Sequence, residues 1–450
     1  MVRSDIHSAP SDSPPPAAAT RAARAGALAV VLAAAAFAVW SYAMPEVGPS
    51  FVGIDAPAAG HFRATFGLSW TVSPAAFRAG LGLILALGAA AYLALGAALA
   101  AGGRLPARAV GAVSVVLALV FALLVPPILS SDVYSYAGYA RLALVHHLDP
   151  TVATQADLLR RGDPIAPLVR GAIASPYGPL WTIVSLAAAA PVVHASLWAQ
   201  VAVFKLVASL GFLALAAGGS RLAERLAPGQ GPVAFAALAL NPFFLIEGPG
   251  NGHNDVVVAA CVAWALVAVA ERRWGRAFAL VGAGGAIKFV PLLLAPWLAV
   301  RARREGAARG RPLFWVGAAA LLLAPLALCY LPFWRGAATF AGLHQQWAAG
   351  RSSPAALAAW RTSAALVVLA AAYGVGVRWA ARDLRGLVAG WVGISTLTLV
   401  LLAGSWFPWY WIWPFSTALV RWDRRGQAAS LALFCVTAGF TVLYAAAVAP

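Results

Sequence analysis

Apolar runs long enough to cross a bilayer recur from one end of this 450-residue chain to the other. A run of about 18 or more apolar residues is a transmembrane helix candidate. Stretches such as Ala75 to Ala101, Val110 to Leu129 and Leu197 to Ala217 meet that test. Only 10% of the residues are charged, against about 25% in a soluble domain, and the mean hydropathy is +0.80. The runs are continuous and do not alternate, which excludes a β-barrel. The predicted fold is an all-α polytopic integral membrane protein of about 11–13 transmembrane helices. Broken or half-inserted helices and one amphipathic helix on the membrane surface complete it.

The formal charge of +17 raises the possibility of nucleic acid as a partner. The arginines form no single face, however. They cluster in short loops at Arg104 and Arg108, Arg221 and Arg225, Arg272 to Arg276, Arg301 to Arg311 and Arg421 to Arg425. Anionic lipid head groups satisfy such loops, so membrane lipids are expected partners and nucleic acid is not. Cys261, Cys329 and Cys435 fall inside predicted spans with no Cys/His ligand spacing, so no metal site is expected. Residues 1–20, rich in Pro, Ser and Ala, read as a disordered tail, and residues 21–450 as one multi-span domain. Arg21 and Arg24 precede the first run without a convincing cleavage site, which reads as an uncleaved signal anchor.

Cytoplasmic loops carry the excess of Lys and Arg. With the N-terminus inside, the large arginine clusters all fall on the cytoplasmic side. This requires Leu180 to Val193 to be only half inserted. It also requires Ala277 to Val300 to enter and return as a broken hairpin, with the break expected at Gly282, Gly284 and Gly285 and Lys288 at its tip. Asp132, Asp149, Asp163, His253-Asn254-Asp255, His344-Gln345-Gln346 and Trp409-Tyr410 then share the outer face.

Several of these positions admit two readings. Asp132 follows Ser130-Ser131 at the lip of a span and suits either a helix cap or a general base at the membrane boundary. Val133 to His147 has apolar residues at helical spacing, which predicts the surface helix. Tyr134, Tyr136 and Tyr139 on it are interfacial aromatics or substrate contacts. Arg141, on nearly the same face as Tyr134, either pairs with a phosphate or snorkels. Glu247 and His253-Asn254-Asp255 flank a glycine-rich turn, and such dense polarity is costly at the membrane edge unless it faces water or itself. Asn254 or Asp255 as an N-cap is the plain alternative. Lys288 in an apolar run is a functional candidate by default, whereas Lys205, mid-span, reads as a packing or lipid-phosphate contact. Four tryptophans and a tyrosine between Trp406 and Pro414 are expected to open a further span and form either an aromatic belt or a stacking platform for sugar rings or a polyprenyl groove. Pro176-Tyr177-Gly178-Pro179 is a turn.

Taken in order, the segments Asp132-Val133-Tyr134-Ser135-Tyr136, His147-Leu148-Asp149-Pro150, Ser175-Pro176-Tyr177-Gly178-Pro179-Leu180, Gly252-His253-Asn254-Asp255, Ile287-Lys288-Phe289-Val290-Pro291 and Pro408 to Trp413 resemble a known pattern. It is that of the polyprenol-phosphate-mannose-dependent mannosyltransferases of the GT-C superfamily. Within them it is most similar to the actinobacterial α-1,6-mannosyltransferases that elongate lipomannan-type glycans. The resemblance covers most of residues 110–420. The chain departs from the family's Gly-x-Asn-Pro-Tyr at His147-Leu148-Asp149-Pro150-Thr151.

The resemblance implies a multi-span inverting glycosyltransferase of the bacterial cell membrane with its active site on the outer face. It would use a polyprenyl-phosphate sugar donor, a glycan or glycolipid acceptor and no cofactor. It implies the base role for Asp132 and contact with the donor phosphate for Lys288 and Arg141. Tyr134, Tyr136, His253, Asn254, Asp255, His344, Trp409 and Tyr410 are the further substrate-binding candidates. A polytopic transporter or flippase is the rival from another class.

Overall fold

A computed structural model describes residues 17–45, 65–68, 70–169, 173–349, 355–402, 407–421 and 424–448. Its helices are α1 Ala17–Trp40, α2 Pro74–Ala100, α3 Ala107–Leu123, α4 Asp132–Leu144, α5 Gln155–Arg160, α6 Pro179–Ala189, α7 Leu197–Leu226, α8 Gly231–Ala239 and α9 Pro242–Leu245. They continue with α10 Asp255–Ala270, α11 Trp274–Ile287, α12 Ala295–Arg304, α13 Phe314–Tyr330, α14 Ala341–Ala349, α15 Ala355–Ala380, α16 Leu384–Leu402, α17 Ile412–Ala418 and α18 Arg424–Val448. Strand among the described residues is confined to a short parallel pair, Ala43–Pro45 with Trp70–Val72.

Six helices are long and apolar enough to cross a membrane, and a seventh span arises if α8 and the following 242–250 segment, bent by 54°, are one broken span. Four shorter apolar helices accompany them; one of these, α6, is too short to cross, so the spans among the described residues fall short of the number expected. The all-α polytopic class holds. Leu28, Leu32, Leu83 and Leu87 on α1 and α2 are each more than half exposed, while Phe37, Phe77, Leu81 and Leu85 on the same helices are buried. Lipid is the solvent that such an apolar outer face fits.

The centre of the molecule is α7, packed against α3, α4, α8 and α10. Small residues set its distance from neighbours. A Cβ on Gly211 would come within 2.6 Å of Val257 on α10, and one on Gly219 within 2.2 Å of Leu238 on α8. Helix α6 has 11 residues, about 17 Å at 1.5 Å per residue, too short to cross a bilayer.

Four expectations change. The helix at Ala17–Trp40 takes in residues 17–20 of the predicted tail, whose first sixteen residues lie outside the described set. Helix α4 is not a surface helix: every residue from Val133 to Leu142 is buried, because its Ala, Gly and Ser positions let α6 and α7 approach one side and the 145–169 segment the other. Gly138 illustrates this, with Leu158 and Val169 each 3.1 Å from where a Cβ would lie. The hairpin breaks at Lys288, not at the glycines. Gly284 and Gly285 lie inside α11, where they admit the returning Pro291 and Leu292, the latter 2.5 Å from the Cβ position of 285. Finally, the tryptophan-rich segment does not open a span. It forms a 3₁₀ turn, Pro408–Trp411, and the seven-residue α17, with Trp409, Trp411 and Trp413 at most 5% exposed. An aromatic belt would face lipid; these rings face inward.

Candidate active site

The end of α3 sets the position of Asp132. Pro126 and Pro127 prevent the helix from continuing, and the extended lead-in that follows is tied at two points. Lys205 Nζ donates to the Val125 carbonyl, and the Leu129 amide donates to Asn251 Oδ1 at 3.3 Å. Lys205 is fully buried and packs its stem beside Gly252. Helix α4 then starts at Asp132. Ser131, its N-cap, makes no side-chain capping hydrogen bond, and the Asp132 carboxylate turns away from its own helix toward His253, Oδ2 to Nδ1 3.4 Å.

The turn after α9 supplies the opposite wall. Residues Ile246–Gly250 form one π-helical turn with Pro249 inside it. Gly252 has φ +76°, and a Cβ there would lie 3.0 Å from Val133, so this position favours glycine twice over. The turn places His253 between two carboxylates: Nδ1 faces Asp132, and Nε2 lies 3.4 Å from Glu247 Oε2. Glu247 is held in turn by Asn251 Nδ2 at 3.0 Å. The imidazole stacks on Trp409, with centroids 3.9 Å apart and planes 18° from parallel. Asp255 opens α10, where a negative charge is favoured, and both its oxygens accept from Lys288 Nζ, at 2.8 and 2.7 Å. The ammonium also lies 4.8 Å from the Tyr410 ring centroid and 5.6 Å from that of Trp413, within cation–π range.

Lys288 takes an extended conformation at the C-cap of α11, and the Pro176–Pro179 turn closes that helix end. The Gly178 amide donates to the Ile287 carbonyl at 2.9 Å. A Cβ on Gly178 would come within 2.2 Å of the Ala286 oxygen. This docking brings Tyr177 to the site.

These elements enclose a cavity of about 330 Å³, the size of a small-molecule site, lined by Asp132, Tyr177, Lys288, Trp409, Tyr410 and Trp413 among others. The Asp132 side chain is 24% exposed, while those of His253 and Asp255 are fully buried behind the wall. Burial works to raise the Asp132 carboxyl, but the His253 imidazole 3.4 Å away, the Lys288 charge and the Tyr177 hydroxyl outweigh it, and the group is held below its ordinary value. Burial, followed by the Asp132 charge, pushes the Tyr177 hydroxyl well above its ordinary value, which keeps it a donor. Among the described residues, no group of three or more His, Cys, Asp or Glu side chains is disposed to hold a metal ion.

The cavity thus gathers Asp132, Lys288, Trp409 and Tyr410 on its wall, with His253 and Asp255 directly behind. Asn254 is fully buried beside them, and its side-chain amide makes no hydrogen bond among the described residues. The other candidates are elsewhere. Arg141 donates from Nε to both oxygens of Asp163, at 2.8 and 3.0 Å, and from Nη1 to the Val193 carbonyl, so it is bound within the protein and does not reach the cavity. His146 shares the same Asp163 carboxylate at 2.6 Å. Tyr134 is buried away from the cavity. Tyr136 lies behind Tyr177, edge-on at 4.9 Å, and supports that ring without lining the wall. His344 is exposed on α14; Leu343 and Gln346 of the same helix line the cavity instead. Tyr177 and Gln346 were not among the predicted site residues. For Tyr177 the usable signal was Pro-Tyr-Gly-Pro, a rigid turn that presents one aromatic ring. Gln346 offered none beyond its place beside His344.

Residues 23–304 match the family described as alpha-(1->6)-mannopyranosyltransferase, N-terminal domain. That stretch contains Asp132, Glu247, His253, Asp255 and Lys288, and ends before Gln346 and the aromatic segment. Alpha-(1->6)-mannopyranosyltransferase A of Mycobacterium tuberculosis (strain ATCC 25618 / H37Rv) is 26% identical over 349 residues, which cover 69% of this chain and 65% of that relative. The chain therefore spans slightly less than two thirds of that protein's length. No solved structure matches. With well over half of its length inside the family match, and with the buried Asp132–His253 and Asp255–Lys288 pairs falling within it, this chain belongs to the alpha-(1->6)-mannopyranosyltransferase family.

Proposed function

We propose that this protein is a membrane mannosyltransferase that moves mannose from a polyprenyl-phosphate donor to a glycan or glycolipid acceptor at the outer face of the cell membrane, with inversion. The observation that carries this reading is the cavity in which a partly exposed carboxylate, Asp132, and a lysine ammonium, Lys288, share a wall with the indole and phenol rings of Tyr177, Trp409, Tyr410 and Trp413. Indole faces suit the CH faces of a sugar ring. Membership of the family supports mannose as the sugar.

In this mechanism the Asp132 carboxylate accepts the proton of the acceptor hydroxyl as the oxygen attacks the anomeric carbon, and the bond from that carbon to the phosphate oxygen breaks on the opposite face. His253, fixed by Glu247 and by the Trp409 stack, keeps the carboxylate ionised and oriented. Lys288 has three N–H donors; Asp255 receives two hydrogen bonds from Nζ, and the remaining donor serves the departing phosphate. The Tyr177 hydroxyl, protonated at neutral pH, is a second donor in reach of the same cavity. Charge that develops on the leaving phosphate is thereby met by groups already in place. The apolar tail of the donor stays in lipid, in keeping with a chain whose described residues form membrane helices and no separate soluble unit.

The test uses the purified chain in right-side-out vesicles, with acceptor supplied outside. Mannose is offered either on polyprenyl phosphate or on a nucleoside diphosphate. Transfer from the lipid donor and none from the nucleotide donor is expected. Equal use of the nucleotide sugar, or transfer only when acceptor is enclosed within the vesicles, would count against the proposal.

A further inference from the structure

Apart from the cavity described above, a groove of about 660 Å³ opens between the end of α12 and the start of α13. Its wall is apolar at Ala299 and Val300, carries Arg303 and Arg309, and ends at Trp315. The chemistry is uneven in an informative way. The segment 301–311 holds five arginines. Arg301 is bound by Glu305 at 2.5 Å, and that carboxylate also takes Arg272 at 3.2 Å. Among the described residues no carboxylate pairs with Arg303 or Arg309, so the groove presents two guanidinium groups with no anion of the protein's own. Gly306, with φ +71°, lets the Arg309 side chain lie over the loop, 3.8 Å from where a Cβ would stand.

The apolar side of the groove continues onto the outside of the molecule. Leu313 and Val316 are 75% and 65% exposed, and within α13 only Ala318 is buried. Trp315, 38% exposed, stands between the charged and the apolar parts, as tryptophan does at head-group level. A ligand that fits must be anionic at one end and apolar at the other. Free phosphate would use the arginines and leave the apolar wall unused, and a zwitterionic lipid would bring its own cation against the arginines.

We propose that this groove binds the head group of an anionic phospholipid, with the phosphate between Arg303 and Arg309 and an acyl chain along α13. Basic pockets between membrane helices are the usual sites for such head groups.

The experiment is native mass spectrometry of the full chain released from detergent carrying either phosphatidylglycerol or phosphatidylcholine of the same acyl composition. Two arginines near the membrane surface give roughly a ten- to thirtyfold preference for the anionic lipid. One retained phosphatidylglycerol is therefore expected under activation that strips phosphatidylcholine. The exposed double variant Arg303→Gln/Arg309→Gln should lose that preference, and Arg161→Gln, an exposed arginine on another segment, should keep it. Equal retention of the two lipids by the wild type would overturn the proposal. So would an unchanged preference in the double variant, or full competition by inorganic phosphate alone.

Discussion

At the scale of single residues, His253 decides how Asp132 behaves. The carboxylate lies in a partly buried wall that works against its charge, and His253 contributes most of what reverses that effect. Asp132 is ionised at neutral pH and protonates only as the pH falls through a value below the ordinary carboxylate range. Activity should therefore hold through mildly acid pH and fall below it. In His253→Asn the stabilising imidazole is removed while burial remains, so the carboxyl rises and the acid limb of kcat/KM moves to higher pH. An acid limb that stays in place would show that His253 is only packing against Trp409. Asp132 itself was legible in the sequence, because an acid at the lip of a long apolar run has few uses. Arg141 was not. Its distance from Tyr134 suggested a shared face, but Asp163 and the Val193 carbonyl, both distant in sequence, claim the guanidinium first. Breaking such a buried pair costs about 3–5 kcal/mol, which gives Arg141 a sufficient structural reason to be where it is.

At the scale of elements, the site is the meeting of three chain breaks. The proline-terminated end of α3 brings Asp132, the π-turn before α10 brings Glu247, His253 and Asp255, and the break at Lys288 brings its ammonium to the same place. The Pro176–Pro179 turn locks the third to the first. Gly178→Ala tests this, because the new methyl group meets the Ala286 carbonyl. Overpacking of this kind costs about 1–3 kcal/mol and moves Tyr177 and Lys288 apart. We expect a lower Tm in detergent and a larger loss in kcat than in donor binding; a variant with wild-type kcat would show that the turn does not position the site. The breaks were partly readable. The glycines at 282–285 marked a broken stretch for the wrong reason, since Gly284 and Gly285 admit Pro291 and Leu292, Gly282 admits Leu322 of α13, and the helix itself ends at Lys288. The surface-helix expectation fails because helical spacing of apolar residues does not distinguish a helix half in water from one covered by protein on both sides. The small residues of α4 were the better guide.

At the scale of the whole molecule, the apolar runs alone were enough for the all-α membrane class, since few other solvents accept Leu28, Leu32, Leu83 and Leu87 on an outer face. The number of spans was less legible, because hydropathy does not report where a helix bends or stops. The run through α3 ends at Leu123 under its two prolines, and the tryptophan-rich segment folds inward. What the fold achieves is to collect the polar groups of distant segments in one cavity, with Asp132 as the carboxylate that is both charged and accessible. Its role is tested most directly by single-turnover transfer from polyprenyl-phosphate mannose, with Asp132→Asn beside the wild type. The account predicts a rate lower by about 10²–10⁴-fold with donor binding unchanged; transfer by the variant at the wild-type rate would contradict it.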